Sequence, residues 1–373
     1  MENKTRKLVT IRKISNILQM EGYDMVALAV VDGWQAIIKK DELKIGDMCL
    51  FFEIDSFIPN ENRFAFLGKT TEFNGKSGYK LKTKKLKTYL SQGLALPLSL
   101  FPEITNPKED FDYAEKLGVI KYDNEIQAYS GKPGLKSGKA RGNFPSFIPK
   151  TDQPRIQNLT TYFSTLVDEE FEETLKLDGS SMTCYKIIHT PTLWERVKSI
   201  FGIKHKAYHF GVCSRNLELK PTANNRLVFD NQGKESIYDQ SDFWTAAYKY
   251  KLEDKLPIGY AIQGELIGPK IQDNQEKVKE LEFYCFDVYN IFTGKYLQPI
   301  ERREFCTFHQ IPHVPVISLN AKPLQLGLEG LLKHVEGESM NPGTISEGRV
   351  YKHISKPITF KAISNKYLLA KKD

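Results

Sequence analysis

The chain has 373 residues, 40% of them hydrophobic and 27% charged, with a formal net charge of +7. This is an ordinary composition for a soluble globular protein, long enough for two domains, and its basic balance favours a polyanionic partner without proving one. No apolar run approaches the ~18 residues that a bilayer span needs, which excludes a membrane helix. Cys49, Cys184, Cys213, Cys285 and Cys306 are scattered and never spaced as C-x-x-C. That excludes a disulfide framework and a thiolate zinc site and points to a reducing, cytoplasmic setting. The N-terminal MENKTRKLVTIRK is charged and lacks the apolar centre of a signal peptide.

Residues 1–126 read as a β-rich unit. The runs LVTIRKI, MVALAVV, WQAIIKK, DMCLFFEI, YKLKTKKL and GLALPLSL alternate or are apolar, and VVDGW, KIGD, IPNENR and EFNGKSGY punctuate them. Five or so short strands with such turns predict a small barrel or sandwich. DYAEKLGVIKYD (112–123) closes the unit. Residues 127–148 hold four glycines, two prolines and four Lys or Arg, the composition of a basic, flexible linker. From 149 to 373 the chain is again strand-rich. LWERVKSIF (193–201) is expected as a helical insertion. SDFWTAAYKYKLEDKL (241–256) is expected as a helix capped by Ser241, and GLEGLLKHVEG (327–337) as another.

Several standard sites fail on spacing. GKS at 75–77 has no glycine five residues upstream, so it is no phosphate loop. HQIPH (309–313) has a metal-like spacing, but Pro312 breaks the helix which that spacing requires. There is no G-x-S-x-G elbow. Six strand-end motifs remain, all beyond 149. They are Lys176-Leu177-Asp178-Gly179; CSRNLEL with Arg215; AIQGELIG with Glu265; LEFYCFDVYN with Phe283, Tyr284, Phe286 and Asp287; SEGRVYK with Glu347; and ITFKAISNKYLL with Lys361 and Lys366. Taken singly, each has a bland reading. Lys176 fits a solvated hairpin face, Glu265 a salt-bridged strand residue, and Phe283 the core.

As an ordered set they resemble the covalent nucleotidyltransferases, which comprise the ATP- and NAD-dependent ligases and the RNA capping enzymes. That resemblance implies adenylyl transfer, with the Lys176 amine attacking the α-phosphorus of ATP and expelling pyrophosphate. The amine must be neutral to attack, which at a free pKa near 10.4 costs ~4 kcal/mol at pH 7.4. Burial and neighbouring cations are expected to lower that cost. The resemblance further implies that Glu347 holds Mg2+ or Mn2+ and that Phe283 stacks on adenine. Glu265 would bind the ribose hydroxyls, and Arg215 would orient a phosphate or the ribose. Lys361 would offset phosphoryl charge, Gly179 would allow close approach beside the nucleophile, and Asp178 completes the first motif. Many ligases carry K-x-K in the last motif. Here position 363 is isoleucine, so Lys366 is taken as the second cation.

Two further stretches, KLKTKKLKTYLSQGLALPL (80–98) and FPSFIPKTDQPRIQNL (144–159), resemble the RNA ligases of Deinococcus/Naegleria type. The implied fold is α+β: an N-terminal OB-like β-barrel (1–126), then a nucleotidyltransferase domain of ATP-grasp-like antiparallel sheets with helices (149–373). The implied activity is ATP-dependent sealing of 3′-OH and 5′-phosphate ends through lysyl-AMP, at nicks with a ribonucleotide on the 3′-OH side. The enzyme is expected to be monomeric, to contact RNA or an RNA-containing nicked duplex, and to bind no membrane. The run KLKTKKLK suits phosphate contacts, although a solvated strand face would read alike. No second OB domain is expected after Lys366, which argues against a DNA ligase or a capping guanylyltransferase. The intact motif set argues against a non-enzymatic nucleic-acid-binding protein.

Overall fold

The alternating runs of the N-terminal third form strands because each can bury one face. The computed structural model describes residues 6–109, 111–122, 140–189, 207–221, 228–229, 235–236 and 241–371. Eleven strands come first: β1 (Val9–Gln19), β2 (Val26–Val31), β3 (Trp34–Lys39), β4 (Met48–Glu53), β5 (Ser56–Pro59), β6 (Thr71–Phe73), β7 (Lys76–Lys80), β8 (Lys84–Leu86), β9 (Tyr89–Ser91), β10 (Gly93–Pro97) and β11 (Ile120–Lys121). An antiparallel sheet runs β10-β4-β1-β2-β3, and β3 lies back against β10, so the barrel nearly closes. β1 makes this possible. Its first half pairs with β4 and its second half with β2, and a bulge between Ile14 and Asn16 turns the strand. β4 is buried on both faces. Cys49 and Phe51 pack with Trp34, while Leu50 and Phe52 pack with Phe64 and Tyr79 towards a second sheet, β11-β5-β7-β6. This is the expected OB-like barrel, with β8 and β9 as a lysine-rich hairpin on it.

Thirteen strands follow: β12 (Ala140–Asn143), β13 (Phe171–Lys176), β14 (Ser180–Ile188), β15 (Tyr208–Cys213), β16 (Leu217–Leu219), β17 (Val228–Phe229), β18 (Glu235–Ser236), β19 (Tyr260–Ile267), β20 (Glu282–Asn290), β21 (Lys295–Tyr296), β22 (Val316–Ala321), β23 (Gly348–His353) and β24 (Thr359–Ile363). Among the described residues, six α-helices accompany them: α1 (Tyr162–Thr165), α2 (Asp242–Lys249), α3 (Leu252–Lys255), α4 (Pro299–Phe308), α5 (Gly327–His334) and α6 (Asn365–Ala370). A seven-stranded antiparallel sheet, β12-β16-β15-β14-β19-β20-β21, buries one face under Trp244, Ala247 and Leu252 of α2 and α3. A four-stranded sheet, β22-β13-β23-β24, is backed by Leu331 and Leu332 of α5. Between the sheets, Leu175, Leu177, Ile267, Val278 and Val314 form a smaller cluster, and the candidate site opens beside it. The α+β class expected from the sequence is present.

Several local expectations change. Of the expected linker 127–148, residues from 140 onward are described, and Ala140–Asn143 of them form β12 in the seven-stranded sheet. β12 pairs with β16, and Ile148 is buried with Tyr185 and Tyr289. The expected helix at 193–201 lies outside the described residues. The helix expected over 241–256 is two, divided where Lys251 adopts φ +52. That break lets Leu252 and Leu256 both enter the core. Helix α4 was not anticipated, although its start is legible: Pro299 opens it, and the Glu301 carboxylate accepts from Gln298 N–H at 2.8 Å. All five cysteines are free and buried. Among the described residues, no helix is long and apolar enough to cross a membrane.

Candidate active site

Lys176 is the last residue of β13 and stands opposite Gly348 of β23. Its neighbours Leu175 and Leu177 are anchored in the cluster between the sheets. Lys176 lines a cavity of about 360 Å³, and Leu175, Leu177 and Val314 of that cluster border it too. β13 and β14 belong to different sheets, so Leu177, Asp178 and Gly179 carry the chain across. Gly179 is required there, because a Cβ would meet Leu266 O at 2.3 Å. The crossing places the lysine at the seam where both sheets face the cavity.

Carboxylates surround the amine. Lys176 Nζ donates to Glu347 Oε2 at 2.6 Å, a short charge-assisted bond. Burial alone would lower the Lys176 pKa, but the Glu347 and Glu265 charges outweigh it and hold the amine above its ordinary value. This reverses the sequence expectation that neighbouring cations depress it. Burial pushes the Glu265 carboxyl up to about 8, with Glu347 and Asp178 adding to the rise and Lys176 opposing it. Asp178 lines the same cavity. It accepts from Tyr367 Oη and, at 3.0 Å, from Lys371 Nζ, so the start of the first motif is tied to α6.

Cations line the cavity as well, Lys361 from the same sheet as Lys176. Lys361 of β24 has its Nζ 3.2 Å from Asp152 Oδ1. Burial lowers its pKa to about 8, Asp152 opposes that, and Lys176 and Arg155 add to the fall. Arg215 lines the cavity from the bend between β15 and β16, not from a strand interior as the sequence suggested. Its Nη2 lies 3.9 Å from Asp152 Oδ2. Asp152 also accepts from Lys121 Nζ of the barrel domain at 3.2 Å. Burial would raise the Asp152 carboxyl, but Lys361, Lys121 and Arg215 outweigh it and hold it well below the usual carboxylate range.

Two expected residues lie elsewhere. Phe283 is fully buried and packs under the helices of the seven-stranded sheet, so it cannot stack on a ligand in the cavity. Phe286 takes that place. Opposite β20, Gln263 pairs with Asp287 and Gly264 with Cys285, which leaves Phe286 as the bulged residue, and it lines the cavity. Lys366 is exposed on α6, outside the cavity lining. The strand ends at Ile363, and Ser364 caps a helix by accepting from Tyr367 N–H at 3.0 Å.

The cavity instead holds Lys352, which sequence reasoning quoted within SEGRVYK but did not single out. Val350 and Lys352 are two residues apart on β23 and both line the cavity. Lys352 Nζ donates to Phe286 O at 2.5 Å and to the Asp287 carboxylate. Burial brings its pKa down to about 8. Behind it, the buried Arg302 donates from Nε to His313 Nε2 at 2.9 Å and pairs with Glu172. Among the described residues, no three His, Cys, Asp or Glu converge as a ready cation cage. The arrangement is a cavity with a lysine nucleophile candidate, carboxylates on its near side, and Lys352, Lys361 and Arg215 facing the space.

Comparisons with known proteins follow this division of the chain. A family model described as RNA ligase matches residues 169–368, and one described as an OB-fold domain matches residues 8–98. Three solved structures of mutant Naegleria gruberi RNA ligase are similar over almost their whole length. The apo form has a TM-score of 0.75 at 36% identity and covers 98% of each chain. The form with AMP and Mn has a TM-score of 0.75 at 36% identity, covering 97% of this chain and 98% of that one. The form with ATP and Mn has a TM-score of 0.74 at 36% identity with the same coverage. No curated protein matches.

Proposed function

The chain belongs to the RNA ligase family, and from that footing we propose that it joins 3′-OH and 5′-phosphate ends at nicks whose 3′-OH nucleotide is a ribonucleotide. ATP and a divalent cation, Mg2+ or Mn2+, are its cofactors. The observation that carries the proposal is Lys176: an amine at the seam of two sheets, 2.6 Å from Glu347, facing a cavity lined by Lys352, Lys361 and Arg215.

The residues present fit both ligands. Gly179 lets the crossing from β13 to β14 pack directly against Leu266 and Ile267 beside Lys176. Lys352, Lys361 and Arg215 offer donors to phosphate oxygens, and Phe286 offers a ring face to adenine. Glu347 supplies a hard oxygen ligand of the kind a magnesium ion takes, and the Glu265 carboxyl can bind the ribose hydroxyls. Bound there, a divalent cation supplies positive charge that offsets the carboxylates and the phosphoryl oxygens.

In the first step, the Lys176 nitrogen lone pair attacks the α-phosphorus of ATP. The bond from that phosphorus to the bridging oxygen breaks, and pyrophosphate leaves with the electron pair. Glu347 keeps the amine protonated in the free enzyme, so its engagement elsewhere removes the partner that holds the charge. Lys361 and Lys352, with pKa values brought down to about 8, still carry mostly protonated amines near pH 7 and offset the charge of an incoming phosphate. Lysyl-AMP then passes its AMP to the 5′-phosphate. The 3′-OH attacks that activated phosphate, and AMP departs.

The barrel domain, up to about residue 126, would grip the duplex, and the ligase domain would begin before β12; the enzyme would act as a monomer. The test is sealing of two matched nicked duplexes that differ only in a 3′-terminal ribose or deoxyribose. Preferential sealing of the ribose nick is expected. Equal sealing of both would remove the ribonucleotide requirement from the proposal.

A further inference from the structure

The lysine-rich hairpin and the last helix lie far apart in sequence, yet the fold sets them side by side. Six lysines and no acidic residue lie between Glu72 and Glu103. Lys82, Lys84 and Lys87, in and beside β8, are exposed. The hairpin is held firmly on the barrel. Ser91 Oγ accepts from Ile37 N–H at 3.0 Å, and Tyr89 Oη accepts from Glu21 N–H at 2.9 Å. β9 packs against α6, and Gln92 Nε2 donates to Asn365 Oδ1 at 3.1 Å. The next residue is the exposed Lys366. No acidic residue lies between Glu347 and Asp373 either. The other face of α6 reaches the active site through Tyr367 and Lys371, which hold Asp178.

We infer that the β8–β9 hairpin and the outer face of α6 form one phosphate-binding track, which carries the RNA duplex to the mouth of the cavity. It rests on the ligase reading above. Lys82, Lys84, Lys87 and Lys366 contact backbone phosphates in it. Exposed ammonium groups in acid-free segments bind a polyanion by counterion release and carry no base readout, as suits an enzyme that joins ends of any sequence. Lys366 thus serves the polynucleotide and not the adenylylation chemistry. Because α6 also holds Asp178, the track ends where the chemistry begins.

The test uses the full-length protein and a fluorescein-labelled nicked duplex with a 3′-terminal ribonucleotide. Its Kd is measured from about 50 to about 200 mM salt. Lys366→Ala and the double variant Lys84→Ala/Lys87→Ala are compared with the same positions changed to Arg, and each protein is also assayed for AMP adduct formation. Each lost lysine is expected to reduce the salt slope by about 1, with arginine restoring it and the adduct forming at the normal rate. A wild-type protein that seals the nick while the alanine variants keep the full slope would overturn the track alone. Loss of adduct in Lys366→Ala would return that lysine to the nucleotide site. A wild-type protein that neither binds nor seals the duplex would overturn the ligase reading as well.

Discussion

Replacing Glu347 by glutamine isolates the electrostatic control of the nucleophile. Glu347 is the nearest of the charges that raise the Lys176 amine, and its carboxylate lies 2.6 Å away. A hydrogen bond to a charged group contributes about 1.5–3 kcal/mol. Losing the carboxylate therefore lowers the amine's pKa, and about 1.36 kcal/mol of lost interaction corresponds to a tenfold change in protonation. Below the pKa, the neutral fraction at fixed pH then rises about tenfold or more. Lys176 is partly accessible, with a quarter of its side chain exposed (25%). The assay is therefore acylation of the nucleotide-free protein by acetic anhydride across pH 7–10, read by peptide mass spectrometry at Lys176. Faster labelling of the glutamine variant is expected, together with loss of AMP adduct formation because the cation ligand is gone. Unchanged or slower labelling at every pH would refute the reasoning, since Glu347 would then not set the charge of the amine.

Glu265→Gln tests the crowding of carboxylates. The folded group is raised from 4.5 to about 8, so the folded state holds a proton that the unfolded chain has lost. The contribution of this group to stability is therefore full below about 4.5 and is lost as pH rises towards 8, by about 5 kcal/mol as an upper bound. Thermal melts should show the glutamine variant gaining stability over wild type at pH 8 relative to pH 5; no such gain would contradict the electrostatics. Phe286→Ala should raise the KM for ATP about tenfold or more, given ~1–3 kcal/mol for base stacking, with little change in urea midpoint. Phe283→Ala should do the opposite, costing about 3–5 kcal/mol of stability, and a larger KM effect at 283 than at 286 would reverse the assignment. Gly179→Ala drives a methyl to 2.3 Å from Leu266 O, so it should abolish adduct formation while far-ultraviolet circular dichroism stays near wild type; normal adduct yield would count against the close approach.

The sequence was most informative where one short motif carries the site. Lys176, Asp178 and Gly179, quoted as one motif, all line the cavity at the end of β13. It misled where strand alternation is broken. Phe283 and Phe286 sit on one aromatic strand, and only the bulge opposite Gln263 and Gly264 decides which ring faces the cavity. Lys366 looked like strand because ITFKAIS runs into NKYLL without glycine or proline, yet Ser364 caps a helix there. Asp152 was invisible for a different reason. Its partners Lys121, Arg215 and Lys361 come from three separate parts of the chain, and no local pattern marks such a meeting. The lysine at 352 carried a signal, the end of SEGRVYK, and its period-two relation to Val350 was enough to place it.

The central claim is that Lys176 becomes adenylylated. Intact-protein mass spectrometry after incubation with ATP and magnesium, followed by peptide mapping, tests it most directly, with Lys176→Met as the control. The account predicts one AMP on the peptide containing Lys176, removed by added pyrophosphate and absent from the variant. An adduct on another residue, or none with either magnesium or manganese on protein first treated with pyrophosphate, would contradict it.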